Sequence, residues 1–464
     1  MGLIFFPRGG SAQVARYLGR ALPSTGWDVT LAAGSLGVPG ETGHAETFFA
    51  GMDVRPVAYG DGGVPLHPSF EDRPGAPDGV FARVDDAGYE ALVARWGRIL
   101  ADAGAARADV LHLHHLTPMN EAARRFFPHV PVVGHVHGTE LLMLEAIEEG
   151  PPPGWAHAAA WARRIRGWAR ACDRVLVLAP DALEEVPALL GVEPDRLTWV
   201  PNGFDPALFQ RRPARGDARV DLWREWLVED PRGWRPGGEP GSVAYRHEDL
   251  AAFAGDAPVL LYVGRYTKVK RLGLLVRAYA RARERFDRRA PLVLLGGYPG
   301  EWEGEHPADA VEATGARDVF LAGWRGHDEL PRALAAADVV VLPSVRESFG
   351  QVLVEGMACG LPLIAVDRHG PASIVEDGET GWLVEPDDEA ALADALVAAV
   401  NDPVERARRG EAAYAARERY AWPELAEAVA RTYERARRGR PGARPRAIKL
   451  VSPPSRRPDV PSGA

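Results

Sequence analysis

Two glutamates eight positions apart, Glu347 and Glu355, lie in the part of the sequence best suited to bind hydroxyl groups. Glu347 follows the apolar run Val339–Leu342 in a loop, and Glu355 lies in the helix predicted after that loop. Open α/β sheets bind ligands at such strand ends, where a helix N-terminus offers free N–H groups to anions. A carboxylate accepts two hydroxyl hydrogen bonds at once, which suits a sugar or ribose diol. The alternative is a pair of ordinary solvated carboxylates.

Two basic residues in another loop between a strand and a helix, Arg265 and Lys270, could neutralise a diphosphate. Arg binds phosphate through two parallel N–H groups, whereas Lys acts as a point charge. Lysine is rare here, because only Lys268, Lys270 and Lys449 occur among 55 basic residues. Codon bias explains the excess of arginine, and Lys268 is expected to face water. A solvated basic loop without a ligand is the alternative.

Paired glycines and a group of histidines are further candidates. Gly9 and Gly10 precede a predicted helix and would let the backbone approach a ligand closely. The chain has neither a Gly-x-Gly-x-x-Gly motif nor a P-loop motif. Two neighbouring predicted strands end in the histidines His112, His114, His115, His135 and His137. A zinc site is possible on composition, but no carboxylate or cysteine set accompanies them, so we predict no metal and prefer one histidine as a proton acceptor or hydroxyl binder.

Short apolar runs alternate with amphipathic stretches along the chain, which predicts an α/β protein with two doubly wound parallel sheets in tandem. The predicted strands lie at 3–6, 28–32, 110–113, 130–134, 174–178, 197–200, 259–263, 292–295, 319–321, 339–342, 363–366 and 382–384. We predict a first domain at 1–208, a linker with an insertion at 209–256 that carries a short helix at 220–228, a second domain at 257–418, and a disordered basic tail at 439–464. The loops at 36–53 and 60–79 follow no recognisable pattern.

Composition excludes several classes of protein. The chain has 464 residues, a formal net charge of −9 and two distant cysteines, Cys172 and Cys359. It contains no apolar run long enough to span a membrane, no signal-peptide pattern at its N-terminus and no disulfide framework. Its mildly negative net charge does not indicate nucleic-acid binding. We therefore expect a cytoplasmic protein of unassigned oligomeric state, in which only the basic tail could contact an anionic lipid surface or nucleic acid.

Taken together, these segments resemble a GT-B glycosyltransferase of the retaining family 4 type over nearly the whole chain. Arg265 and Lys270 match the family's Arg-x4-Lys spacing, and Glu347 and Glu355 match its Glu-x7-Glu motif. Similar segments also occur at 201–205, 338–344, 358–362 and 376–384, and residues 419–438 resemble the family's closing helix, which crosses back onto the N-terminal domain. Ser373 departs from the pattern, because the family often has Glu there.

The resemblance implies two Rossmann-like domains that face each other across a cleft, with the acceptor on the N-terminal domain and the donor on the C-terminal one. It implies that Arg265 and Lys270 hold the donor diphosphate and that Glu355 binds the ribose hydroxyls. The transferred sugar and phosphate would be held by Glu347 together with the backbone N–H groups of Phe349, Gly350, Gln351 and Val352. His137 would lie beside the donor sugar, and Gly10 would let the first loop approach the diphosphate and the acceptor.

The resemblance thus implies sugar transfer with retention of configuration from a nucleotide diphosphate sugar to a hydroxyl acceptor. UDP is the first choice for the nucleotide, followed by GDP and ADP. The acceptor could be a carbohydrate, a lipid-linked compound or a small metabolite. The chain has no Asp-x-Asp motif, so we expect neither a metal nor another cofactor. The alternatives are a sugar-nucleotide epimerase of GT-B build, a pyridoxal-phosphate-dependent phosphorylase, and a non-catalytic nucleotide-sugar-binding protein.

Overall fold

A computed structural model describes residues 1–7, 9–60, 65–72 and 78–439. Apart from Gly439, the predicted tail at 439–464 lies outside the described residues, as do Arg8 and parts of the loop at 60–79. In the part of the chain that is described, no helix combines the length and apolar character needed to cross a membrane.

The N-terminal half alternates strands and helices. Its strands are β1 (Gly2–Leu3), β2 (Thr30–Ser35), β3 (Asp53–Ala58), β4 (Leu111–His114), β5 (Val132–His135), β6 (Arg174–Val177) and β7 (Leu197–Trp199). Its helices are α1 (Gly10–Ala21), α2 (Ala45–Phe48), α3 (Asp86–Asp102), α4 (Pro118–Phe126), α5 (Thr139–Glu149), α6 (Ala158–Ala171) and α7 (Ala182–Leu190).

The C-terminal half repeats this alternation. Its strands are β8 (Leu260–Gly264), β9 (Leu292–Gly296), β10 (Val319–Gly323), β11 (Val339–Leu342), β12 (Leu363–Val366) and β13 (Gly381–Val384). Its helices are α8 (Asp217–Arg224), α9 (Leu272–Arg283), α10 (Pro307–Thr314), α11 (Leu330–Ala335), α12 (Gln351–Ala358), α13 (His369–Ile374), α14 (Glu389–Asn401), α15 (Pro403–Ala416) and α16 (Trp422–Arg438).

Both sheets are parallel and doubly wound, which confirms the predicted α/β fold class. The strand orders are β3-β2-β1-β4-β5-β6-β7 and β10-β9-β8-β11-β12-β13. In each sheet the winding direction reverses beside the first strand, between β1 and β4 and between β8 and β11. Ligands of open α/β proteins bind at such reversal points, beyond the carboxyl ends of the strands. His115 directly after β4 and the basic residues after β8 therefore both lie at a reversal point.

Each of the twelve predicted apolar runs overlaps an observed strand, but β3 was not predicted. This strand lies at the edge of its sheet, and only Val57 of its six residues is buried. It also contains Pro56, which is tolerated at a sheet edge because no neighbour needs its N–H group. An edge strand with one buried side chain has no apolar alternation, so nothing in the sequence distinguishes it from a loop.

The insertion at 209–256 packs into the core of the C-terminal half. Its helix α8 continues into a π-helical segment, Glu225–Glu229, and together they bury Trp223 and Trp226 completely. The hydroxyl oxygen of Tyr245 accepts a hydrogen bond from the Leu321 N–H group at 2.7 Å, which covers part of the edge strand β10. Covering an exposed edge prevents it from pairing with another chain.

The last helix, α16, crosses back onto the N-terminal half. Its side chains Trp422, Leu425 and Val429 share a buried cluster with Leu18 and Val133 of the first sheet and its helices. This packing connects the two halves, and the hydroxyl of Tyr433 in the same helix lies 2.6 Å from Nδ1 of His112 in β4.

Candidate active site

Charged side chains from the two halves meet across one cleft. The pairs that cross it are Glu71–Arg265, Glu145–Arg346, Asp181–His369 and Arg16–Asp328. In the first three, the carboxylate belongs to the N-terminal half and the basic group to the C-terminal half. The N-terminal wall is therefore acidic where it faces the loops predicted to bind a diphosphate.

Arg265 and Lys270 lie in the loop that joins β8 to α9, as the sequence predicted. The two terminal nitrogens of Arg265 approach the carboxylate oxygens of Glu71 at 3.3 and 3.4 Å across the cleft. The ammonium group of Lys270 instead forms an ion pair with Glu347 of its own half. The side chains of Lys270 and Glu347 are 15% and 20% exposed, so this pair is partly shielded from water. The structure thus joins two residues that were predicted separately.

The loop after β11 brings Glu347 to the N-terminus of α12. Gly350 caps this helix in the left-handed region, with φ at 100°, where a side chain would be strained. The first N–H groups of a helix have no partner within the helix, so residues such as Gln351 and Val352 present donors at this end. Phe349 is buried beneath the loop, and Gly370 packs so closely on its backbone that a Cβ atom would lie 2.4 Å from the Phe349 Cα. This contact keeps the loop in place.

Glu355 is buried, and a chain of hydrogen bonds links it to the N-terminal half. Its Oε1 atom accepts hydrogen bonds from Nε2 of His327 at 2.7 Å and Nε2 of Gln351 at 3.1 Å. The other ring nitrogen of His327 lies 3.1 Å from the Tyr17 hydroxyl of helix α1. Because a carboxylate oxygen only accepts, His327 carries a proton on Nε2, and its neutral form accepts the Tyr17 hydroxyl proton on Nδ1. Burial raises the pKa of Tyr17, which keeps this hydroxyl protonated.

Residues from the N-terminal half approach Glu347 through the turn after β5. Gly138 has φ at 100°, and a Cβ atom there would lie 1.9 Å from Oγ of Ser348, next to Glu347. His137 precedes this glycine and is half-buried at the cleft. Gly10 begins α1, and a Cβ atom there would meet no described atom within 4 Å, so this turn leaves space beside the cleft. The structure therefore brings the turn that carries His137 close to the Glu347 loop.

The remaining histidines lie behind His137 as a buried group. Burial, reinforced by neighbouring imidazoles, lowers the pKa of His112, His114 and His137 well below its usual value. The same two causes lower the pKa of His135 to about 3. Ring nitrogens of His112, His114 and His135 lie within 4.8 Å of one another, as do ligand atoms of Asp181, Glu185 and His369. The imidazoles of His112, His114 and His135 are neutral, which is the protonation state that a metal ligand requires.

Sequence reasoning missed three residues of this cleft: Tyr17, Glu71 and His327. Glu71 contacts the predicted residue Arg265, and His327 contacts the predicted residue Glu355. Tyr17 reaches Glu355 only through His327, which is 310 positions away in sequence. Glu71 lies within the Pro/Gly-rich loop at 60–79, which follows no recognisable pattern. The only available sequence signal was that Tyr17 lies two helical turns after the Gly9–Gly10 turn, on the helix that starts there.

Comparison with known proteins assigns both halves. The family described as glycosyl transferases group 1 matches residues 248–416, and glycosyltransferase family 4 matches residues 8–208. D-inositol 3-phosphate glycosyltransferase of Kineococcus radiotolerans is 32% identical over 335 residues, which cover 68% of this chain and 69% of that protein. The protein of the same name from Xylanimonas cellulosilytica is 30% identical over 343 residues, which cover 72% of this chain and 73% of its own length. The crystal structure of Anabaena HepE in complex with UDP and glucose has a TM-score of 0.64 at 18% identity and covers 94% of this chain and 99% of HepE.

Proposed function

Because the chain belongs to the glycosyl transferases group 1 and has the GT-B fold, we propose that it transfers a hexosyl unit from UDP-sugar to a hydroxyl acceptor with retention of anomeric configuration. The observation that carries this proposal is the Lys270–Glu347 pair, which lies beside the N-terminus of α12 and faces the His137 turn of the other half. A cation for phosphate and a carboxylate for sugar hydroxyls are thereby adjacent.

Loss of the nucleotide diphosphate builds negative charge on the leaving oxygen. Arg265, Lys270 and the unpaired N–H groups at the start of α12 would stabilise that charge, because fixed donors act strongly in a site shielded from water. These three sources of positive potential follow the neighbouring strands β8 and β11 of one half of the molecule. They would perform the task that a divalent ion performs in metal-dependent enzymes, so we propose transfer that needs no metal.

Glu347 acts in this proposal as a ligand for sugar hydroxyls and not as a nucleophile. Its carboxylate already pairs with Lys270, so a diphosphate that draws Lys270 away would release oxygens to accept hydroxyl hydrogen bonds. Retention would then follow from attack of the acceptor on the face that the diphosphate leaves, with the leaving phosphate taking the acceptor's proton. No covalent bond to the protein forms in this sequence.

Glu355 would bind the ribose through the oxygen that the protein leaves open. His327 and Gln351 both donate to Oε1, and no described residue donates to Oε2. A ribose hydroxyl could donate to Oε2 while the Oε1 contacts hold the carboxylate in a fixed orientation. The UDP bound to HepE supports uridine as the base, and the inositol phosphate named for the relatives supports a polyol as the acceptor.

A two-stage assay tests this function. A thermal-shift series with UDP, GDP and ADP should show the largest stabilisation with UDP, because a ligand that binds only the folded state raises its stability. UDP-sugar and a panel of polyols are then incubated with and without EDTA, and proton NMR identifies the anomer formed. Retained configuration and equal rates in EDTA are expected. An inverted product, loss of transfer in EDTA, or epimerised donor without transfer would contradict the proposal.

Replacing Glu71 with glutamine should lower the KM for the donor about two- to fivefold, because the diphosphate no longer competes with a carboxylate for Arg265. The expected factor is that of an exposed ion pair, about 0.2–1 kcal/mol. Glu145→Gln is the matched control, since it also removes an ion pair across the cleft but leaves Arg265 unchanged. Steady-state kinetics at fixed salt concentration measure both variants. If KM decreased equally in both variants, the cause would be easier opening of the cleft and not the release of Arg265.

A further inference from the structure

Five imidazoles pack together where β4 and β5 end, directly behind the predicted donor sugar. Four of them, His112, His114, His115 and His135, are at most 3% exposed, and His137 lies in front of them at the cleft. The ring centroids of His135 and His137 are 4.3 Å apart, and those of His112 and His114 are 4.6 Å apart. In such a dense group of imidazoles, the nitrogen that carries the proton on one ring depends on the hydrogen bonds to its neighbours.

The hydrogen bonds within this group involve one specific nitrogen of His137. Its Nε2 atom lies 3.0 Å from Nδ1 of His114, while no described side chain bonds to its Nδ1 atom. Since His137 is half-buried and Nδ1 is not among the enclosed, unpartnered atoms, this nitrogen is the one that water or a ligand in the cleft can reach. Which of the two rings donates in the His114–His137 hydrogen bond therefore decides whether Nδ1 of His137 presents a donor or an acceptor to the cleft.

The buried side of His114 determines where that proton lies. Its Nε2 atom is enclosed and has no hydrogen-bond partner. A neutral imidazole carries one proton, and buried N–H groups without an acceptor are rarer in proteins than buried acceptors without a donor. The favoured tautomer of His114 therefore has its proton on Nδ1, where it donates to Nε2 of His137, and leaves a bare lone pair on the enclosed nitrogen.

His115 follows the same arrangement for an independent reason. Its Nδ1 atom lies 3.2 Å from a carboxylate oxygen of Glu140, which can only accept, and its own Nε2 atom is also enclosed without a partner. The other carboxylate oxygen of Glu140 accepts the backbone N–H group of His137 at 3.2 Å. Glu140 thus holds the backbone of His137 and orients the neighbouring ring at the same time.

From this geometry we infer that His114 is a positioning residue that locks His137 in the tautomer protonated on Nδ1. His137 then donates a hydrogen bond to a hydroxyl oxygen of the donor sugar and does not accept the proton of the acceptor. This role rests on the proposed function, because it requires a sugar beside His137. The low pKa of both rings, caused by burial and neighbouring imidazoles, agrees with it, because neither ring then carries two protons near neutral pH.

The tautomer can be measured without any donor, so its outcome is independent of the proposed function. The full chain is labelled with ¹⁵N-histidine, and long-range proton–nitrogen correlations distinguish imidazoles protonated on Nδ1 from those protonated on Nε2. The signals of His137 are assigned from their absence in His137→Gln. Protonation of His137 on Nδ1 is expected. Protonation on Nε2 or on both nitrogens overturns the inference, as do signals of His112, His114 and His135 that shift after EDTA, because those would indicate a bound metal.

Two variants of His114 then test its effect on transfer. An asparagine amide can place an N–H group where Nδ1 lies, so His114→Asn should retain kcat within about threefold. His114→Leu removes the donor and should lower kcat about ten- to thirtyfold, as expected for the loss of one buried hydrogen bond. It should also shift the His137 signals toward a mixture of tautomers. Equal activity of the two variants, with unchanged His137 signals, would overturn the positioning role, and the measurement on the parent chain stands even if His114→Leu fails to fold.

Discussion

Lys270→Ala should lower kcat/KM for the donor about a thousandfold, which is the largest effect expected from any single substitution in this cleft. Lys270 would be the partly shielded cation closest to the departing diphosphate, and its removal also leaves the carboxylate of Glu347 without its partner. An unpaired carboxylate beside a diphosphate repels it, so one substitution removes an attraction and adds a repulsion. Release of UDP in a coupled assay, together with circular dichroism to check folding, measures the effect.

Lys268→Ala is the matched control for this experiment. Lys268 lies in the same short helical turn, but its side chain is exposed, so its removal should change kcat/KM by less than about twofold. Lys270→Arg should recover only part of the activity, since a planar fork does not reproduce a compact ammonium group. If Lys270→Ala and Lys268→Ala retain equal activity, the phosphate assignment of Lys270 is wrong.

Glu347→Gln should lower kcat about a hundredfold while the KM for the donor stays equal or decreases. The amide still bonds to sugar hydroxyls, but it is a weaker acceptor than the carboxylate, so the sugar is held less firmly in the transition state. Lys270 loses its anionic partner at the same time and becomes more available to the diphosphate, which favours donor binding. A much lower kcat with an unchanged or lower KM is therefore the signature of this residue.

Glu347→Ala with added azide distinguishes a hydroxyl ligand from a nucleophile. If Glu347 formed a covalent sugar intermediate, azide would enter the space left by the side chain and yield a glycosyl azide. We expect no such product. Glu418→Gln serves as the charge control, because this side chain is 79% exposed and pairs only with its neighbour Arg417 among the described ion pairs, so the variant should behave like the parent protein. Formation of the azide adduct would assign Glu347 as the nucleophile.

The sequence by itself was sufficient to predict the α/β architecture and to predict which candidate site residues share a loop. Buried parallel strands are continuous apolar runs, so all twelve predicted runs overlap observed strands. Arg265 and Lys270 share a single strand–helix connection, as do Glu347 and the start of α12, and short-range spacing determines where such side chains point. The edge strand β3 was missed because a strand with one buried residue has no period to detect.

Only the tertiary structure decided which of these residues meet. Glu71 and Arg265 are 194 positions apart, and Lys270 and Glu347 are 77 apart, so no local period in the chain connects them. The same holds for the chain from Tyr17 through His327 to Glu355, which crosses the cleft, and for the tautomer of His137, which depends on the burial of His114. Residue types and local spacing determine what each side chain can do, whereas its partners, its exposure and the nitrogen that carries its proton depend on how two separately formed sheets pack against each other.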